Sequence, residues 1–176
     1  LSLSSWLDAA EAMETRSWAV LEILRLWEED EPAPRFADYL KDDLTFFQLS
    51  ASQKGMEIYE IENRLDLLKS LDLPAILELV SEASAGRAFV VLDRFADDRY
   101  RLVLPDRTGP VGIDEAEIQR VWSGKAYIPW KNFFAISGKI PGNAPGESVV
   151  TLKLLLRDLG YENVDLSPRY DEATRL

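Results

Sequence analysis

The sequence predicts an α+β domain, with helices gathered in its first third and an antiparallel meander after them. Apolar residues recur at helical spacing as far as Ser70, whereas from Pro74 short β-rich runs alternate with turn-forming residues. The two textures occupy separate stretches, which argues against an alternating βαβ sheet. A chain of 176 residues, 47% hydrophobic and 29% charged, can bury the core of one ordinary domain with a fragment beside it.

Taken in order, Thr15 is placed to cap a helix running through Trp18, Ala19, Val20, Leu21, Ile23, Leu24, Leu26 and Trp27. Glu22, Arg25 and Glu29 form its one polar stripe, so most of its surface is expected to be buried. The acidic run Glu28 to Glu31 follows, and Pro32 and Pro34 close the element. Consecutive carboxylates at a helix end point in different directions, which reads as a solvated terminus and not a metal site. A shorter helix is expected over Phe36–Leu44 and another over Asn63–Ser70, the latter with Leu65, Leu67, Leu68 and Leu71 apolar.

The period then changes. Strands are expected over Pro74–Val80 and Ala88–Leu92, separated by Ser84-Ala85-Gly86, and over Tyr100–Leu104. Pro105 to Gly109 turns the chain, and Val111–Ile113 returns. Asp114 and Glu117 have the spacing of a capping box for a short helix ending near Trp122; Ser123-Gly124 breaks it, and Ala126–Trp130 reads as a last strand. Gly138, Pro141, Gly142, Pro145 and Gly146 compose a linker. Residues 147–160 make a further helix, closed by Gly160 at its C-terminal cap, and Tyr170 to Leu176 begin another.

Cysteine and histidine are both absent. That removes the thiol nucleophile, the Ser–His and Cys–His pairs, the commonest zinc ligands and any disulfide. No cofactor or metal is expected. The net charge of −11 repels nucleic acid and anionic lipid. No apolar run approaches the ~20 residues of a membrane span. No signal peptide is visible, and the start at Leu1 without a methionine reads as a segment of something larger. Of the five tryptophans, Trp18, Trp27 and Trp122 read as core, and Trp6 and Trp130 as candidates for an exposed contact.

The stretch Leu73–Trp130 resembles the C39-like peptidase domain. That family carries a proline-apolar strand, a His-Phe-Val-Val-Leu strand, an Asp-Pro turn with a glycine, and a helix leading to Trp-x-Gly. Here these read Leu73-Pro74-Ala75-Ile76-Leu77, Ala88-Phe89-Val90-Val91-Leu92, Pro105-Asp106-Arg107-Thr108-Gly109 and Trp122-Ser123-Gly124. The resemblance implies a papain-like fold, N-terminal helices on an antiparallel sheet. It puts Ala88 at the family's histidine position, Asp106 at that of its acid, and the cysteine position near Phe36–Tyr39. Two of three triad members are missing, so no catalytic residue is expected and Asp106 reads as a turn residue.

Gly146–Leu176 resembles the start of a peptidoglycan-binding type 1 domain, on Val149, Leu152, Leu156, Gly160-Tyr161, Tyr170-Asp171 and Thr174. A degenerate C39-like domain over 1–136, a Gly/Pro linker over 137–146 and a partial peptidoglycan-binding domain over 147–176 is the arrangement of the periplasmic half of the ExeA/GspA family. This resemblance implies a periplasmic domain of an inner-membrane protein, a non-catalytic scaffold that helps place the outer-membrane secretin. Its implied partners are peptidoglycan and secretion-system proteins, including a GspB-like partner and the secretin, and it leaves homo-oligomers open. Two other readings stand beside it: a glycan hydrolase using a pair from Asp93, Asp97, Asp98 and Asp106, and an intracellular protein-interaction module.

Overall fold

Leu3, Trp6 and Leu7 fall on one face of a short helix, α1 (Leu3–Leu7), and that face is buried. The computed structural model describes residues 3–8, 12–27, 39–81, 86–131, 146–158, 160–161, 164–171 and 174. The acidic run at 28–31, its prolines and the first residues of the expected Phe36–Leu44 helix lie outside them.

Helix α2 (Ala12–Leu26) starts three residues before the expected cap. Thr15 lies inside it, buried, and its hydroxyl accepts from the Phe89 N–H at 3.1 Å. The next helix begins later than expected, as α3 (Asp43–Ser52). Asp42 has extended backbone and accepts from the Thr45 N–H (2.8 Å) and hydroxyl (2.5 Å), so the cap sets the start of the helix. After it comes a strand the sequence reading did not identify, β1 (Met56–Glu62). Its alternation breaks at Tyr59-Glu60: Met56 and Ile61 are buried on opposite faces and Tyr59 is exposed.

Helix α4 (Leu65–Leu71) precedes β2 (Ala75–Val80), β3 (Arg87–Ala96), β4 (Arg99–Val103) and β5 (Val111–Ile113). Asp97 and Asp98, both at positive φ, make the tight β3–β4 turn in place of the glycine usual there. Asp114 caps α5 (Glu115–Val121) by accepting from the Glu117 N–H at 2.9 Å, while the Glu117 carboxylate accepts from the Leu3 N–H at 2.6 Å. The chain passes directly into β6 (Trp122–Lys131), with Gly124 at φ +95°.

The six strands form one antiparallel sheet in the order β1-β6-β2-β3-β4-β5. Because side chains alternate across a strand, each face builds its own core. Leu77, Leu79, Ala88, Val90 and Ala126 pack with α1, α4 and α5; Ile76, Phe89, Val91 and Tyr127 pack with α2 and α3. On the second face Phe47 meets Phe89 edge-on at 5.3 Å and Tyr127 at 4.7 Å. Burial beside Glu78 and Glu60 raises the Tyr127 phenol well above its ordinary pKa of 10.

The chain divides into two units after Lys131. In the second, α6 (Gly146–Asp158) ends as expected at Gly160, where φ is +92°. The Gly160 N–H donates to the Arg157 carbonyl (2.9 Å) and the Tyr161 N–H to the Leu156 carbonyl (3.0 Å). Of the expected linker at 137–146, only Gly146 is among the described residues.

Candidate functional site

The two positions carried over from the peptidase pattern have structural partners. Ala88 on β3 is fully buried and pairs with Leu79 across the β2–β3 ladder. Asp106, in the turn after β4, accepts from the Trp6 indole N–H at 2.9 Å, and the Arg107 guanidinium lies at 3.9 Å. Trp6 is 8% exposed, which corrects its expected role as a surface contact. Its ring goes into the core with Leu3 and Leu7, and its one polar atom finds the carboxylate. Trp130 is half-buried on β6. Asp106 therefore pins α1 to the β4 turn.

A second polar cluster joins α2, α3 and three strands. The buried Arg16 donates to Asp43 Oδ1 (3.1 Å) and to the Leu40 carbonyl (3.0 Å), with its guanidinium 4.0 Å from the Phe46 ring. Arg87 spans from Asp43 to Glu78, and the Ser123 hydroxyl donates to the other Glu78 oxygen at 3.0 Å. Two arginines face two carboxylates, so the charges balance where burial demands it. The signal for this cluster was Arg16, a cation inside an apolar helix.

Three of the four acids considered for hydrolysis, Asp93, Asp97 and Asp106, are paired locally, and Asp98 is exposed in the β3–β4 turn. Asp97 pairs with Arg101 at 2.9 Å and Asp93 with Arg94 at 3.0 Å. No three acids among the described residues are grouped to hold a metal ion, and no helix among them is long and apolar enough to cross a membrane.

In the second unit one motif residue, Asp171, bonds a buried lysine. Lys153 is 0% exposed, and its Nζ donates to Asp165 Oδ1 (2.6 Å), Asp171 Oδ2 (2.6 Å) and the Ser167 hydroxyl (3.1 Å). Asp171 Oδ1 in turn accepts from the Thr174 N–H (3.1 Å) and hydroxyl (2.7 Å). The Lys153 and Thr174 bonds hold the Asp171 carboxyl down to about 2. Burial works against the Lys153 ammonium, but the two aspartates outweigh it and raise its pKa. Val149 and Thr174 are buried, Leu152, Tyr170 and Asp171 half-buried, and Tyr161 exposed. Lys153 and Asp165 were not singled out in the sequence. The available signal was a lysine four residues after Val149 on the apolar stripe of α6.

No protein-family profile matches the chain, and no curated protein matches it. Solved structures do. The periplasmic domain of the EpsAB fusion protein of the Vibrio vulnificus type II secretion system matches 90% of this chain at 17% identity and a TM-score of 0.54; the chain spans 64% of that domain's length. A double glycine motif protease from an AMS/PCAT transporter, solved with its leader peptide, matches 68% of this chain and 85% of its own at 21% identity and a TM-score of 0.54. The N-terminal peptidase C39-like domain of the toxin secretion ATP-binding protein from Vibrio parahaemolyticus matches 70% of this chain over its whole length, at 16% identity and a TM-score of 0.50. The chain has the C39 peptidase-like fold. It shares that fold with a periplasmic domain of a type II secretion protein, a transporter's double glycine motif protease and a peptidase C39-like domain.

In this C39-like unit, the segment expected to hold the cysteine position lies outside the described residues apart from Tyr39, which is exposed. The helix that reaches β3 beside Ala88 is α2, through Thr15. Around Ala88 and Asp106 the C39-like unit presents packed methyl groups and a hydrogen-bonded indole, and the sequence holds no imidazole or thiol to complete a triad.

Proposed function

We propose that this chain is a non-catalytic periplasmic binding region of a type II secretion protein of the ExeA/GspA kind, engaging peptidoglycan and partner proteins to help place the outer-membrane secretin. The likeness to the EpsAB periplasmic domain carries this reading. At 90% of the chain it must run past Lys131 into the second unit, whereas the peptidase likenesses cover about 70%. The absence of cysteine and histidine supports a role without peptide cleavage. In this reading residues 1–136 are a degenerate peptidase domain that holds a protein partner, and residues 147–176 open a peptidoglycan-binding module joined by the Gly/Pro linker. Val149, Leu152, Gly160, Tyr161, Tyr170, Asp171 and Thr174 shape that module, with Tyr161 the side chain most available to a ligand.

The test is envelope fractionation and in vivo crosslinking of the full-length protein that carries this region, with co-sedimentation on purified sacculi. Crosslinks to secretin-assembly proteins and retention on sacculi are expected, with retention weakened by Tyr161→Ala. Cleavage of double-glycine peptides that Asp106→Ala abolishes would overturn the reading, as would recovery of the protein only from the cytosol.

A further inference from the structure

Three arginines from three elements line one cavity in the first unit. Arg25 of α2, Arg94 of β3 and Arg107 of the β4–β5 turn surround a space of about 330 Å³, with Trp18 and Pro110 among its apolar walls. Each arginine is steadied by an acid close in sequence. Glu22 takes the Nε and Nη2 of Arg25 (3.0 and 2.5 Å), Asp93 takes the Nε of Arg94 (3.0 Å), and Asp106 lies 3.9 Å from the Nε of Arg107. The Nη1 group of Arg25 and both Nη groups of Arg94 stay outside these pairs.

Exposure separates two of the cations from their acids. The Arg25 and Arg94 side chains are 67% and 63% exposed, while Glu22 and Asp93 are 13% each. In these two pairs the carboxylate is drawn inward and the guanidinium fork presented outward, whereas Arg107 is 39% exposed and Asp106 56%. These pairs also differ from the Arg87 bridges, which tie separate elements together: each joins residues at most three apart and adds little to the fold. The Nη donors left outside these pairs gather at one cavity, in a chain whose net charge is −11.

We infer that this cavity binds a monocarboxylate with an apolar or ring-bearing body, the size of one or two amino acids. Planar guanidinium forks match a carboxylate in two-point geometry. Glu22, Asp93 and Asp106 already offset the three arginines, so the cavity offers free guanidinium N–H donors without net positive charge, which suits one carboxylate better than a doubly charged phosphate. The indole of Trp18 and the proline wall supply the apolar contact. The cavity lies wholly in the first unit, and its ligand is independent of the proposed secretion role.

Isothermal titration of the whole chain with N-acetylphenylalanine, its uncharged amide and inorganic phosphate tests this at low salt. The carboxylate is expected to bind at least about tenfold more tightly than the amide or phosphate, a difference of about 1.4 kcal/mol. Arg94→Gln with Arg107→Gln should remove that preference while the melting temperature stays unchanged. The single Arg94→Gln, on an exposed side chain, should weaken binding if the double variant does not fold. Equal affinity for acid and amide, tighter phosphate binding, or no effect of either substitution overturns the site.

Discussion

Asp106 shows what a single carboxylate does in a chain without imidazole or thiol. Its carboxylate sits where a peptidase acid belongs by pattern, but it accepts from the Trp6 indole and so fastens α1 to the turn after β4. Trp6→Phe keeps the apolar body and removes the donor, so it should cost about 1 kcal/mol in urea unfolding. Asp106→Ala should cost about the same, and Asp106→Asn, which retains an acceptor, much less. A double-mutant cycle that finds the two losses additive would remove this bond from the account. Lys153 is the counterpart in the second unit, a buried ammonium with three acceptors. Lys153→Met leaves Asp165 and Asp171 facing each other without a cation. It should melt α6 in circular dichroism at a temperature where the first unit is still folded.

At the scale of elements, junctions decide more than propensities do. The α5–β6 junction works because Gly124 takes φ +95° and lies against Asn63, itself at positive φ, whose N–H donates to the Gly124 carbonyl at 2.7 Å. A Cβ at Gly124 would collide with the Asn63 side chain as well as strain the backbone. Gly124→Ala should therefore destabilise by about 2 kcal/mol and weaken the β1–β6 pairing, read as faster amide exchange in Met56–Glu62. The aspartate that joins α6 to the following chain gives a pH signature. Asp171 is held at about 2 against an ordinary 3.8. Its bond to Lys153 is thus worth its full amount above about pH 4 and is lost as pH falls through 2. The Thr174 backbone amide should titrate near pH 2 in NMR spectra; a midpoint near 4 would mean that the Lys153 contact is not formed in solution.

For the whole molecule, both cores are drawn from residues no later than Ile128. A chain ended after Ile136 should keep a cooperative transition within about 4 °C of the full chain, and loss of cooperativity would place the domain boundary elsewhere. Much of this architecture was legible in sequence. The periods of α2, α4, β2, β3 and α6, the Asp114 cap and the Gly160 stop are local properties, set by a few neighbouring residues. What stayed hidden was non-local. β1 lies at the sheet edge, and its broken alternation appears only because α3 covers one face of it and solvent reaches Tyr59. Trp6 read as a surface residue until a carboxylate 100 residues away gave its indole a partner. Arg16, Lys153 and the three arginines of the cavity look like ordinary charges along the chain. The sequence by itself determined the α+β class, most element positions and the lack of thiol and imidazole. Tertiary structure alone decided which charges are buried, which are paired and which gather at one cavity, because those depend on distances that chain order does not encode.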